Sequence, residues 1–420
     1  MAERVIFHVD VNSAFLSWTA AYRVSVLGEK GDLRDIPSVV CGDRDSRHGI
    51  ILAKSIPAKK YGIHTGEPLF QALEKDPALV VVSPDYGLYV EASRRLLALL
   101  REVSPAVEQF SIDEAWADMT GTASLHGSAV EAALGLKDRI REELGFTVNI
   151  GISSNKLLAK MASDFEKPDK VHTLFPGEME AKFWPLGVRD LFSVGRATEE
   201  KLRLYGIRTI GDLAHTDPAF LRLKLGKNGE GLWHLANGRC PDPVRTASAD
   251  SKGCGNSVTT SSDVTDLEAA RRVLLSLCET VGMRLRRAGQ TGECMTVHLR
   301  TSQFTNYSHQ KLMPCSTNVT QELYRAACEV FDEAWKDRRP LRQIGVQVTR
   351  LSSTGGYRQY SLFDAGSYDR LEKVDRAVDA LREKYGEDSV FRARFLGRPA
   401  EHMAGGLARE RRTAVTGKEV

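Results

Sequence analysis

The stretch 252–353 constrains the fold most, because its apolar spacing alternates between a strand period and a helix period in a fixed order. A strand is expected over about 252–260, then a helix over 266–288 with Thr265 as its cap and Leu267, Leu274, Leu277, Val281 and Leu285 on one face. "ECMTVHLRTSQF" alternates Met295, Val297 and Leu299 against Thr296, His298 and Arg300, the signature of a half-buried strand. A hairpin partner follows at about 307–313, and then a helix over 318–336 that buries Val319, Leu323, Val330 and Phe331. The strand "QIGVQVTRLS" closes the unit. The order β-α-β-β-α-β is the split βαβ arrangement, an independent domain of about 100 residues. His298, Arg300, Gln347 and Thr349 fall on the sheet face away from the helices. Such a face suits a phosphate backbone, and equally a solvated sheet surface.

The chain has 420 residues, which implies two to four domains. With 42% apolar and 27% charged residues it has the composition of a soluble globular protein. Charges within "MAERVIFHVDVN" argue against a secretory signal, and the apolar cluster "LLALL" is far too short to span a membrane. Seven cysteines without a C-x-x-C pair point to thiols in a reducing cytoplasm rather than a zinc site or disulfide frame. Net charge is +3, but residues 1–120 carry 13 Lys+Arg against 17 Asp+Glu, and 251–353 carry 14 against 10. An acidic front and a mildly basic rear fit a metal-using region followed by a nucleic-acid grip.

Upstream, "RVIFHVDV" (4–11) reads as a buried strand with Asp10 near its end, followed by a helix over 12–27 capped by Asn12 or Ser13. Strands are expected over 36–42, 78–84 and 146–153, and helices over 86–104 and about 128–144. Strands mixed with helices and one hairpin indicate an α+β domain around a mixed sheet. From 185 to 240 the pattern is helical, and "VRDLFSVGRATEEKLRLYGI" reads as a helix, a tight Ser193-Val194-Gly195 hairpin and a second helix stopped at Gly206. Helix–hairpin–helix units bind DNA phosphates through hairpin amides, although two packed helices look similar in sequence. Residues 241–251 read as a linker. After 353 comes a tail with a helix at 367–386 and a polar end from 398.

The chemistry rests on "EQFSIDEAWADM", where Asp113 and Glu114 stand side by side in a hairpin. Adjacent carboxylates repel and are costly to desolvate, so they mark either a solvated turn or a cation site. Two-metal phosphoryl transfer needs acidic oxygens from separate segments around ions about 3.5–4 Å apart, and Asp10 would be the third acid. No P-loop, G-x-S-x-G or H-E-x-x-H motif offers a rival chemistry.

"FHVDVNSAF", "SIDEAWADM" and "GISSNKLLAKMASDFEKP", in this order, closely resemble the Y-family translesion DNA polymerases of the DNA polymerase IV type, over about residues 5–352. The resemblance implies a right-hand polymerase without a proofreading exonuclease: palm at 1–17 and 78–170, small fingers at 18–77, thumb at 171–240, linker at 241–251 and little finger at 252–353. A C-terminal tail occupies 354–420. It further implies Asp10, Asp113 and Glu114 as catalytic metal ligands, with Val11 offering a backbone carbonyl. Two Mg²⁺ ions are implied, replaceable by Mn²⁺. Phe15 would be the steric gate against a ribose 2′-OH, next to Ala14, and Lys167 and Lys59 would contact the triphosphate. The implied partners are primer–template DNA, a dNTP and a sliding clamp, with no membrane, for a cytoplasmic monomer.

The triphosphate side departs from the family pattern. Lys59 stands where an arginine is usual, losing the bidentate fork, and Ile56 replaces a hydrogen-bonding tyrosine, so Lys54, Ser55 or Lys60 would share the work. Ala14 is small where many relatives are aromatic, and Lys170 replaces a common glycine. These changes keep open a second reading, a non-catalytic DNA- and clamp-binding relative. Finally, Gln359-Tyr360-Ser361-Leu362-Phe363 resembles the clamp-binding pentapeptide, with Gln359, Leu362 and Phe363 as its anchors.

Overall fold

The computed structural model describes residues 4–42, 49–247, 251–353 and 367–396. They divide into two compact units, one of residues up to 42 and from 50 to 247, the other from 251 onward. The pentapeptide 359–363 and the polar end from 398 lie outside the described residues.

The first unit contains β1 (Ile6–Val11), β2 (Ser38–Cys41), β3 (Ile51–Lys54), β4 (Val80–Val82), β5 (Ala106–Gln109), β6 (Glu114–Asp118), β7 (Val148–Ser153) and β8 (Val171–Thr173). Five of them form a mixed sheet in the order β5-β6-β1-β7-β8, antiparallel except for the β7–β8 pair. A smaller sheet has the order β3-β2-β4. β1 is buried along its whole length because it lies between two strands and is covered on both faces. Its alternation decides what each face holds. Phe7, Val9 and Val11 join the core built with Leu96, Leu100, Leu136 and Ile140 of the helices Tyr86–Val103 and Ala129–Leu144. Ile6, His8 and Asp10 point the other way, toward the helix Lys156–Ser163. That helix sits hard on the sheet, since a Cβ on Gly151 would lie 1.9 Å from the Ala159 carbonyl oxygen.

Two local expectations need correction. The helix expected before Ser193 is a single 3-10 turn, Val188–Asp190. The Gly187–Thr209 bridge and the extended Leu191 leave no room for more. The helix after β1 runs over Ala14–Ser25, with Ser13 at its N-cap in the left-handed region (φ 48°) and no side-chain cap bond. Asn12 does not cap it either, because its side chain bonds Asn149 and the Asp169 amide.

The second unit contains β9 (Gly253–Val264), β10 (Gln290–Thr301), β11 (Asn306–Thr317) and β12 (Leu341–Ser353), with helices Leu267–Arg287 and Thr320–Ala334. The sheet order is β11-β10-β12-β9. Each helix-linked strand pair is thus split by one strand, as the sequence pattern predicts. Leu274, Leu277, Val281, Leu285, Leu323, Val330 and Phe331 fill its core. The first helix is capped by Asp266 and not Thr265: the Asp266 carboxylate accepts from the Ala269 amide at 2.8 Å. The helix Ser367–Tyr385 packs on this unit through buried charge. Arg286 pairs with Asp379 at 2.6 Å and with Asp375 at 3.2 Å, and Glu279 pairs with Arg392 at 2.9 Å.

Candidate active site

Asp10 ends β1 in the middle of the five-stranded sheet, with Glu114 as its partner across β6 and Asn149 as its partner across β7. The three side chains therefore share one face. The turn before Glu114 is closed by the Phe110 and Ser111 amides, both donating to the Glu114 carbonyl. The Val11 amide donates to the Asp113 carbonyl at 3.1 Å, tying the strand end to that turn. Asp113 is half-buried and its Oδ1 accepts from Ser111 Oγ at 2.6 Å. Asp10 and Glu114 thus come together, while Asp113 stands beside them with its carboxylate turned onto Ser111. Among the described residues no three acidic, histidine or cysteine side chains converge as a ligand set.

Lysines hold the two facing carboxylates. Lys167 Nζ lies 2.9 Å from Asp10 and 2.8 Å from Asp164, and Lys160 Nζ lies 2.9 Å from Glu114. Burial pushes the Asp10 carboxyl up to about 7 against the opposing charge of Lys167, and neighbouring Glu114 adds to the rise. Burial also opposes ionisation of Glu114, but the polar surroundings of its carboxylate, the facing His8 ring and the Lys160 ammonium bonded at 2.9 Å, outweigh it and hold Glu114 well below the usual carboxylate range. His8 is fully buried, and burial pulls its pKa down. The Ser163 hydroxyl donates to the Lys160 carbonyl, His8 Nδ1 lies 2.8 Å from the Ser163 oxygen, and His8 Nε2 faces Glu114 at 3.8 Å.

The carboxylates suit a hard divalent cation. They are oxygen donors from two strands and a turn, and one of them is a buried acid whose desolvation is met by a single lysine.

Phe15 follows on the first turn of the helix Ala14–Ser25, one residue after buried Ala14. Its ring stacks on Tyr89 at 4.5 Å and 5°, and Tyr86 meets it edge-on at 5.7 Å. Tyr89 is fixed in turn by Thr19, 3.0 Å from its hydroxyl. Lys59 is exposed on the short helix Ile56–Lys60 beside β3. Burial first, and then the charge of Lys59, push the Lys54 ammonium down, so a positive field gathers there. Ser55 is spent internally as that helix's N-cap and as a donor to the Ile36 carbonyl. Ile56 is exposed.

Ser193 takes φ 78°, Val194 is buried and its carbonyl accepts from Arg189, and Gly195 starts the helix Arg196–Leu204 without a side-chain cap. In the second unit, His298 and Arg300 lie on the open sheet face, where Gly255, Ser257, Asn306 and Gln347 help to line a groove of ≈ 710 Å³. His298 Nε2 is 3.2 Å from Gln347, and Arg300 Nε donates to Asn306 at 2.6 Å.

Sequence reasoning missed His8, Lys160 and Asn149. A signal existed for Lys160: "KLLAKMAS" places two lysines on a helix whose other residues are apolar or small, so each must find a carboxylate. Lys156 finds Glu108 at 2.7 Å.

Comparison with known proteins gives the fold and the family. A solved Y-family DNA polymerase chimera, Dbh-Dpo4(243-245)-Dbh, superposes with a TM-score of 0.70 at 24% identity, over 82% of this chain and 98% of that one. The chain thus has the multidomain α+β fold of a Y-family polymerase. Residues 9–164 match the impB/mucB/samB family, and 251–362 match that family's C-terminal domain. DNA polymerase IV of Clostridium acetobutylicum is 45% identical over 394 residues, 94% of this chain and 98% of the relative. DNA polymerase IV 2 of Bacillus subtilis is 35% identical over 425 residues, 99% of each chain. The chain belongs to the impB/mucB/samB family, the Y-family DNA polymerases of the DNA polymerase IV type.

Proposed function

We propose that the protein is a DNA-directed DNA polymerase that extends a primer 3′-OH on a template and works in translesion synthesis. The observation that carries this reading is the pairing of buried Asp10 with half-buried Glu114 at the centre of the sheet, in a chain of this family. Asp10, Asp113, Glu114 and the Val11 carbonyl would hold two Mg²⁺ ions, for which Mn²⁺ can substitute. Bound there, the ions supply the charge that makes the 3′-OH nucleophilic and stabilises the leaving pyrophosphate.

The chain's own residues do the rest. Lys167, shared between Asp10 and Asp164, brings a cation to the position where a triphosphate would lie. Lys59, with Lys54 near it, would supply point charges to the triphosphate, without the bidentate recognition an arginine would give. Phe15 cannot swing away from a sugar, because Tyr89 and Tyr86 fix its ring; its bulk excludes a ribose 2′-OH. The Ser193-Val194-Gly195 turn and the His298–Arg300 face would each meet DNA phosphates, and Gln359, Leu362 and Phe363 would dock on a sliding clamp. The protein would act as a cytoplasmic monomer.

Primer extension with and without Mg²⁺ tests the reading. Asp113→Ala and Glu114→Ala should abolish Mg²⁺-dependent extension, and a near wild-type rate in either would overturn the assignment and favour a non-catalytic relative. Deleting 359–363 should leave extension of short primers intact and remove stimulation by the clamp.

A further inference from the structure

Lys167 lies on the loop 164–170, which has no regular structure of its own, yet its ammonium is placed within hydrogen-bonding distance of Asp10. Something must hold that loop, and the structure shows what does. Asn149, fully buried on β7, uses its whole side-chain amide on the loop and its neighbour. Nδ2 donates to the Ser163 carbonyl at 3.0 Å and to the Glu166 carbonyl at 2.6 Å. Oδ1 accepts from the Lys170 amide at 3.3 Å and from Asn12 Nδ2 at 3.1 Å. Asn12 Oδ1 in turn accepts from the Asp169 amide at 3.0 Å. The loop is thus gripped before and after Lys167, from a residue facing Asp10 across the ladder and from one two positions beyond it in the chain.

We propose that Asn149, together with Asn12, is a positioning residue that sets the loop 164–170 and so aims Lys167 at the site. The inference rests on the reading of Lys167 as a triphosphate contact. Only an amide side chain satisfies this grip: a carboxylate has no donor for two carbonyls, and an apolar isostere makes none of the four bonds to the Ser163 and Glu166 carbonyls, the Lys170 amide and Asn12. Neither asparagine needs to touch the substrate, so loss of the grip should weaken nucleotide binding more than it slows chemistry.

The test measures single-nucleotide insertion kinetics and thermal unfolding for Asn12→Ala, Asn149→Ala and Lys167→Ala, alone and in pairs. It also follows backbone amide exchange at residues 169 and 170 in the metal-free protein. The expected result for the asparagine variants is a KM for dNTP raised about three- to tenfold, a smaller change in kcat, and faster exchange at 169 and 170. In a Lys167→Ala background the asparagine substitutions should add nothing further to KM, since both act through one ammonium. If Lys167→Ala raises KM while Asn12→Ala leaves KM and exchange unchanged, or if the effects simply add, the positioning role is overturned. If Lys167→Ala itself leaves KM unchanged, the triphosphate role of Lys167 falls, and the positioning role with it. Should Asn149→Ala not fold, Asn12→Ala decides the matter, because it removes two bonds of the same grip at a less buried position.

Discussion

Asp10 and Glu114 face each other across the β1–β6 ladder, and a different lysine holds each: Lys167 on Asp10 and Lys160 on Glu114, both at 2.9 Å. Two carboxylates at adjacent ladder positions would be unstable in a dry sheet without such partners. The arrangement balances charge internally while keeping both acids on one face of the sheet. Its imbalance is as informative as its balance, since Asp10 is the acid that burial keeps close to neutral.

That imbalance predicts how stability depends on pH. The Asp10 carboxyl titrates at about 7 in the fold, above its ordinary value of 3.8. The folded state therefore binds the proton more tightly than the unfolded chain. The stability this confers is complete below about pH 4 and is lost as the pH rises to about 7. In metal-free protein, the melting temperature of Asp10→Asn relative to wild type should climb across that window and then level off. Thermal unfolding in a pH series checks it, and a flat difference would remove Asp10 from this role.

Phe15→Ala should admit ribonucleotides, lowering the preference for dNTP over NTP in kcat/KM by more than about tenfold. The lost stacking on Tyr89 should also cost about 1–3 kcal/mol of stability. Insertion assays with matched dNTP and NTP, beside thermal unfolding, separate the two effects. Unchanged sugar discrimination would leave Phe15 as a packing residue only.

Gly151→Ala tests how the sheet meets the helix that carries Lys156 and Lys160. The new Cβ would sit 1.9 Å from the Ala159 carbonyl oxygen and 2.4 Å from the Ser163 nitrogen, both backbone atoms that cannot step aside. Destabilisation of about 3 kcal/mol or more is expected by denaturant unfolding, with extension falling as Lys160 is pushed off Glu114.

The C-terminal helix should behave as part of the second unit. Asp375 pairs with Arg286 and also accepts from the Thr320 amide at 2.7 Å, so Asp375→Ala leaves a buried amide without its acceptor and removes one of the two carboxylates on the buried Arg286, which keeps Asp379. A loss of about 1–3 kcal/mol is expected, read as a drop in the thermal transition of that unit. A variant that melts as wild type does would show that the helix docks without supporting the fold.

The second unit was the most legible part of the chain, because strand and helix periods report local burial one residue at a time. Leu274, Leu277, Val281 and Leu285 are core residues as their spacing predicts. Caps were less legible. Thr265 and Asp266 are both good capping residues in sequence, and one residue of register decides between them. The tail helix was visible as a helix, but its docking was not. Two of its three buried positions, Asp375 and Arg382, are charged, and their partners, Arg286 and Glu279, lie 89 and 103 residues earlier in the chain.

For the site, an acid in an apolar strand and an Asp-Glu turn carry their cost in plain view and so mark Asp10, Asp113 and Glu114 as candidates, whereas Phe15 and Lys167 stand out only through the resemblance to the family. What sequence could not supply was which groups meet. Asp10 has Glu114 on one side and Asn149 on the other only because β1 lies between β6 and β7, a pairing of segments more than 100 residues apart. Local periodicity says which face a side chain takes; the partner across the ladder is a long-range contact, and there the tertiary structure alone decided that Lys167 meets Asp10, that Lys160 meets Glu114, and that Ser55 is already spent.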